Sequence, residues 1–267
     1  MALHCLMLRN HFVGFFVLLV LHSCGQSQSP TLETPTAPPS VDVKLKSPDS
    51  INAELNWSVD ELTGRFDPSK HQDFVRIQSA HTSKENIYLR KESYEAFVKM
   101  YDAAKKEGIR LTIISATRNF DYQKGIWEKK WLREKYKGWS DFDKVKDILS
   151  YSSMPGTSRH HWGTDVDFNS VDPKFFASGE GKKLYDWLLI HASEYGFAQT
   201  YTHKKSGRTG YEEEKWHWSY MPLASEMLKD YNTRVKYEDL HGFHGAEQAD
   251  DLKVFETFVN GIDASLK

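Results

Sequence analysis

The two cysteines of this 267-residue chain, Cys5 and Cys24, both stand near its beginning, and that placement limits what the rest can fold into. The body beyond Cys24 can close no internal disulfide, so its stability must come from a hydrophobic core. About 200 residues follow the linker described below, enough for one domain with an adequate core.

Arg9 precedes an apolar run at residues 12–21 (FVGFFVLLVL) that is shorter than the roughly 20 residues a membrane-spanning helix needs. It reads as the apolar region of a signal peptide. The following Leu21-His-Ser-Cys24-Gly resembles the bacterial lipoprotein processing box. Residues 1–23 are therefore expected to be a lipoprotein signal peptide, with cleavage before Cys24 and lipidation of its thiol. Ordinary cleavage near Ser23, leaving Cys24 free, implies export equally. The expected location is that of an exported bacterial lipoprotein, membrane-anchored and facing the periplasm or cell wall. Residues 24–50 carry a Ser/Pro/Thr-rich run (QSQSPTLETPTAPPS) that buries too little apolar surface to offset its ordering entropy, so they read as a flexible tether. From residue 51 to 267 the composition is globular and aromatic-rich, without a second linker or repeat, which predicts one domain. With 35 basic and 37 acidic side chains the chain has no electrostatic footprint for nucleic acid. Clusters such as Glu128-Lys-Lys and Arg133-Glu-Lys read as solvated helix faces.

Apolar spacing predicts amphipathic helices over residues 93–107, 122–136, 142–150, 181–195 and 224–231, and a helical tail over 247–259. Buried strands are expected at residues 111–115, around Val166 and Phe168, and at 216–220 (WHWSY), with a turn at Met154-Pro-Gly-Thr157. Strands mixed irregularly with helices indicate an α+β domain.

The chemistry concentrates in Ser158-Arg-His-His-Trp-Gly-Thr-Asp-Val-Asp167 and, about fifty residues later, Glu214-Lys-Trp-His217. Together they hold histidines, a carboxylate and a spare glutamate. Three nitrogen or oxygen ligands on a zinc ion leave the fourth position to water, and a free carboxylate can take that water's proton. Along an unbroken strand His161 would share a face with Asp167, because strand faces alternate with period two. A single-residue break at Gly163 would put His160 there instead. Counting leaves both open. Glu213 is a rival to Glu214 as base, and His241 and His244 read as a surface loop.

These motifs resemble the bacterial zinc D-alanyl-D-alanine carboxypeptidases of the VanY type, peptidase family M15, whose pattern S-x-H-x-x-G-x-A-x-D followed by E-x-W-H falls on Ser158, His160, Gly163 and Asp167, then Glu214, Trp216 and His217. Upstream, Ser115-Ala-Thr-Arg118-Asn-Phe-Asp-Tyr122-Gln123 is similar to the family's S-x-x-R-S-x-x-x-Q element. The resemblance implies a single metallopeptidase domain over residues 51–267, with a mostly antiparallel sheet carrying the zinc site between flanking helices, in the manner of Hedgehog and DD-peptidase domains. It implies Zn2+ held by His160, Asp167 and His217, with Glu214 as general base. Arg118 would approach the substrate's carbonyl or terminal carboxylate, with Gln123, Ser158 and Trp216 contributing to substrate binding. The implied substrate is the peptidoglycan stem peptide ending in D-Ala-D-Ala; an L,D-carboxypeptidase or an endopeptidase would use the same residues. A non-catalytic cell-wall binder would have no need of them. Three positions depart from the pattern: Asp165 replaces alanine, Lys215 a common proline and Asn119 the usual serine. Two residues from Asp167, Asp165 is placed to be either a supporting carboxylate or a competing ligand.

Overall fold

A computed structural model describes residues 57–267; the expected signal peptide, Cys24, the tether and residues 51–56 lie outside the described residues. A two-stranded antiparallel ribbon of β1 (Phe74–Arg76) and β2 (Tyr88–Arg90) precedes the main sheet. That sheet contains β3 (Ile113–Ser115), β4 (Asp165–Phe168), β5 (Phe197–Gln199) and β6 (His217–Tyr220) in the order β3-β4-β6-β5, with every neighbouring pair antiparallel. Around it lie α1 (Val59–Thr63), α2 (Lys91–Lys106), α3 (Phe120–Trp131), α4 (Asp141–Ile148), α5 (Gly179–His191) and α6 (Met221–Arg234). The α+β class and antiparallel sheet expected from the sequence are those observed. Among the described residues, no helix is long and apolar enough to cross a membrane.

The strands separate two cores because their side chains alternate. Val166, Phe168 and Trp218 join Phe97 and Met100 of α2 and Leu184 and Leu188 of α5 in one buried cluster. The Phe168 ring lies 5.8 Å from that of Phe97 and 6.5 Å from that of Phe197. The opposite parity, Asp165, Asp167, His217 and Ser219, carries the polar groups. Beyond it Trp162, Tyr201 and Tyr211 pack with Trp127 of α3, Val145 of α4 and Tyr231 of α6 in the second cluster.

Helix α1 starts with a capping box, in which Ser58 accepts the Glu61 N–H and Glu61 accepts the Ser58 N–H. It ends at Gly64, whose φ of 79° is left-handed. Glycine is required there twice over, since a Cβ would meet the His161 ring at 2.3 Å. From this short helix the Leu62 carbonyl accepts the Trp162 indole N–H at 3.1 Å, and the Gly64 carbonyl accepts the Phe120 N–H at 2.7 Å. Buried Arg90 donates from Nε to the Trp162 carbonyl at 2.8 Å and pairs with Glu61 and Asp73, both at 3.4 Å. The residues just before β4 are thus held from beneath.

Most expected elements form, with shifted ends. The 122–136 helix begins earlier, where Asn119 accepts the Tyr122 N–H, and stops at Trp131, leaving a single turn at Glu134–Tyr136. Asparagine thereby serves as N-cap in place of the usual serine. The tail over residues 247–259 is not the expected helix. It is a short turn at Ala246–Gln248 and a wide turn at Phe255–Val259, interrupted by Lys253 at φ 48°. Burying Val254, Val259 and Ile262 against the second core decides its path. Elements absent from the sequence reading are α1, the β1–β2 ribbon and β5.

Candidate metal centre

Register builds the site. β4 and β6 pair so that Asp167 stands opposite His217 and Asp165 opposite Ser219, all on one face. The residues ahead of β4 do not continue the strand: Arg159–Trp162 form a 3-10 turn that ends at Gly163, φ 74°. A Cβ at Gly163 would lie 2.3 Å from the Phe74 ring. This break reverses the simple parity and brings His160 to Asp167.

His160 Nδ1 donates to the Ala116 carbonyl at 2.8 Å, which aims Nε2 at Asp167 Oδ1, 3.4 Å away. That Nε2 is buried without a hydrogen-bond partner. His217 Nδ1 lies 3.2 Å from the same Asp167 oxygen. One ligand atom from each of the three residues falls within 4.8 Å of the others. Tetrahedral zinc with bonds of about 2.0–2.1 Å separates its ligand atoms by about 3.3 Å, so the 3.4 and 3.2 Å separations from Asp167 Oδ1 fit the ion. An orphaned imidazole nitrogen, a second imidazole and a carboxylate at these distances match the set read from the sequence.

His161 is excluded as a ligand because both its ring nitrogens are used. Nδ1 donates to the Arg118 carbonyl at 2.6 Å and Nε2 accepts the Gly156 N–H at 3.0 Å. Burial pushes it down to about 3, so it stays neutral.

Asp165 is the supporting carboxylate and not a competing ligand. It accepts from His217 Nε2 at 2.9 Å, from Arg159 Nε at 3.1 Å, from Thr164 Oγ1 at 2.6 Å and from the Ser219 hydroxyl. Burial opposes its ionisation, but Arg159 and His217 hold it far below the usual carboxylate range. An ionised Asp165 on Nε2 leaves Nδ1 of His217 as the nitrogen for a metal, the arrangement that fixes ligand tautomer and orientation in carboxylate–histidine–zinc sites. Asp165→Asn is therefore expected to weaken zinc affinity about 10–100-fold. Competition against a chromophoric chelator measures this, and unchanged affinity would remove Asp165 from the site.

Glu214 lies just beyond the ligands, with Oε2 3.8 Å from His217 Nδ1. Burial pushes its carboxyl up to about 7, with Asp167 adding and His217, Arg118 and Lys130 opposing. It lines a cleft of about 580 Å³ together with Arg118, Asp167, Trp216, Tyr122 and Tyr151. Arg118 donates from Nη1 to Gln123 Oε1 at 2.9 Å and places Nη2 3.7 Å from Asp167 Oδ2. Gln123 is fully buried and donates to the Ser153 carbonyl at 2.8 Å, so it positions Arg118. Ser158 is buried at the start of the 3-10 turn, where its carbonyl accepts the His161 N–H. Trp216 walls the cleft and tilts against Phe176 at 6.4 Å. Lys215 sets its ammonium 5.0 Å from the Tyr185 ring, away from the ligands.

The Glu128-Lys-Lys cluster is more than a solvated face. Glu128 binds both the N–H and the ring of His244, tying the surface loop onto α3. Lys130 is half-buried in the cleft, where its ammonium donates to the Ser152 hydroxyl. Its position on a face with lysine neighbours hid it from sequence reading. Ser152 and Tyr151 were equally unmarked.

The profile of the VanY D-alanyl-D-alanine carboxypeptidase family matches residues 86–223. The chain is 32% identical over 196 residues to the putative carboxypeptidase YodJ of Bacillus subtilis (strain 168), a match covering 70% of this chain and 66% of that protein. It is 28% identical over 172 residues to a D-alanyl-D-alanine carboxypeptidase of Enterococcus faecalis (strain ATCC 700802 / V583), covering 64% and 61% respectively. In both cases the chain spans just under two thirds of the relative's length. Among solved structures, a vancomycin-resistance D,D-pentapeptidase VanY in complex with Zn(II) is 22% identical with a TM-score of 0.46, covering 65% of this chain and 93% of that one.

Proposed function

Because the chain belongs to the VanY D-alanyl-D-alanine carboxypeptidase family, we propose that it is a zinc-dependent carboxypeptidase that removes the terminal D-alanine from peptidoglycan stem peptides. The observation that carries this reading is the buried Glu214 carboxylate beside a two-histidine, one-aspartate cluster at the base of an open cleft.

His160, Asp167 and His217 would hold zinc, which would supply Lewis acidity toward the scissile carbonyl and lower the pKa of water there. Glu214, beside His217 Nδ1 and lining the cleft, takes a proton from the attacking water and returns it to the leaving amine. Arg118, held against Asp167 by Gln123, presents its guanidinium where negative charge develops on the carbonyl oxygen. Trp216 and Tyr151 line the cleft that the peptide would occupy.

The test is mass spectrometry of a pentapeptide stem incubated with zinc-loaded protein beside a chelator-treated control. Chelator-sensitive loss of one terminal alanine supports the reading. An intact pentapeptide alongside a shortened tetrapeptide would replace it with L,D-specificity, and cleavage within a cross-linked stem with endopeptidase action.

The reading includes a membrane tether. The apolar run before Cys24 and the Ser/Pro/Thr-rich stretch behind it support lipidation at Cys24 and a domain reaching from the membrane toward the wall. Cys24→Ser is expected to move the protein from the membrane to the soluble fraction on cell fractionation; persistent membrane association would sink the anchor.

A further inference from the structure

The cleft holds a second inward-facing cation that the mechanism above leaves unused. Lys130 lines the same wall as Glu214, Tyr151 and Ser152. Its Nζ donates to Ser152 Oγ, and among the described residues no carboxylate oxygen comes within 4.0 Å of it. Arg118, in contrast, already faces Asp167 and is gripped by Gln123. A half-buried ammonium lacking an acid partner is unfavourable by itself and ready to be matched by an incoming anion.

Stereochemistry says which anion. In a peptide shortened from its C-terminus, the leaving amine and the terminal carboxylate are attached to one Cα, about 3 Å apart. Wherever Glu214 reaches that amine, the carboxylate lies on the Glu214 side of the cleft. Lys130 lines the same cleft as Glu214, and its charge, like that of Arg118, acts on Glu214. Ser152 completes a receptor: its oxygen accepts from Lys130, which leaves its own O–H free to donate to a carboxylate oxygen.

Resting on the carboxypeptidase reading, we propose that Lys130, with Ser152, receives the substrate's C-terminal carboxylate and makes the enzyme selective for free peptide ends, leaving Arg118 to the carbonyl oxygen.

The experiment compares a pentapeptide acid with its C-terminal amide, using the full zinc-loaded chain. Equilibrium binding is measured in the Glu214→Gln background, and kcat and KM are measured with Glu214 intact. A charge-assisted contact of this kind predicts that Lys130→Met weakens binding of the acid and raises its KM about 10–100-fold, with kcat little changed. Binding of the amide should be unaltered by the same substitution. Lys130→Arg should restore most of the acid preference, and Ser152→Ala should lose part of it. Equal effects of Lys130→Met on acid and amide, or an unchanged acid preference, overturn the proposal. A second peptide amidated only at its upstream side-chain carboxylate covers the other source of the same chemistry: if that peptide alone escapes the Lys130→Met effect, the terminal assignment is wrong. The binding arm reports on Lys130 even if no peptide is hydrolysed, so failure of the carboxypeptidase reading is seen separately in the turnover arm.

Discussion

Glu214→Gln is expected to bind zinc as the wild type does and to lose turnover by about 10²–10⁴-fold, the usual contribution of a positioned general base. The amide keeps the shape of the side chain and its place behind His217 but cannot accept the water's proton. Zinc content by metal analysis and single-turnover cleavage of a pentapeptide separate the two effects; retained turnover would transfer the base to another group, with Glu213 the nearest in sequence. The same substitution should stabilise the metal-free fold. Burial raises the Glu214 carboxyl from 4.5 to about 7, so the folded protein disfavours its ionised form. That penalty is absent below pH 4.5, grows as pH rises from 4.5 to 7 and is complete above about 7. In chelator-treated protein, glutamine at this position should therefore add on the order of 1–3 kcal/mol at pH 8 and almost nothing at pH 4. Denaturant midpoints at the two pH values check the sign.

His160→Ala and His161→Ala should fail in opposite ways. The first removes the one imidazole nitrogen that, among the described residues, is buried without a partner and points at Asp167. It should lower zinc affinity beyond the roughly 10–100-fold expected of a supporting residue, with a modest effect on folding. The second leaves all three ligand atoms but deletes the ring that bridges the Arg118 carbonyl to the Gly156 N–H and packs on Gly64. It should bind zinc and lose about 2–4 kcal/mol of stability through the cavity and the unmade hydrogen bonds. Metal titration beside urea denaturation distinguishes them, and a zinc-free His161→Ala that remains folded would contradict the geometry.

Residue spacing alone could name this pair of histidines without choosing between them, and the choice of His160 came from the family motif. Period-two counting favoured His161, and the choice turned on a 3-10 turn that depends on the left-handed Gly163 and on Arg90 reaching from another strand. Local spacing carries no information about such a distant anchor. Asp165 shows the same limit: its position two residues from Asp167 fixed its face, but whether it ligates or supports was decided by Arg159, Thr164 and Ser219 filling its lone pairs. Helices with strong apolar stripes, such as α2 and α5, were plain in the sequence because burial follows their spacing. Three-residue strands such as β1 and β2 have too short a pattern to register. The Ser58 to Glu61 capping box was a readable signal for α1 that the apolar pattern did not reinforce. Lys130 escaped notice because a lysine on a charged helix is expected in water, and only the loop at Tyr151 and Ser152 turns its surroundings into a wall.

The shared family segment, residues 86–223, is not a detachable part. Its zinc turn leans on Leu62 and Gly64 ahead of it, through the Trp162 indole and the His161 ring. From behind, the Tyr231 hydroxyl reaches back to the Gly156 carbonyl at 2.9 Å. Kinship here marks where the chemistry is kept, while the foundations are laid by flanks that the family pattern does not describe. Transplanting this stretch into another protein would carry over the candidate ligands and leave their footing behind, unless both flanks travelled with it.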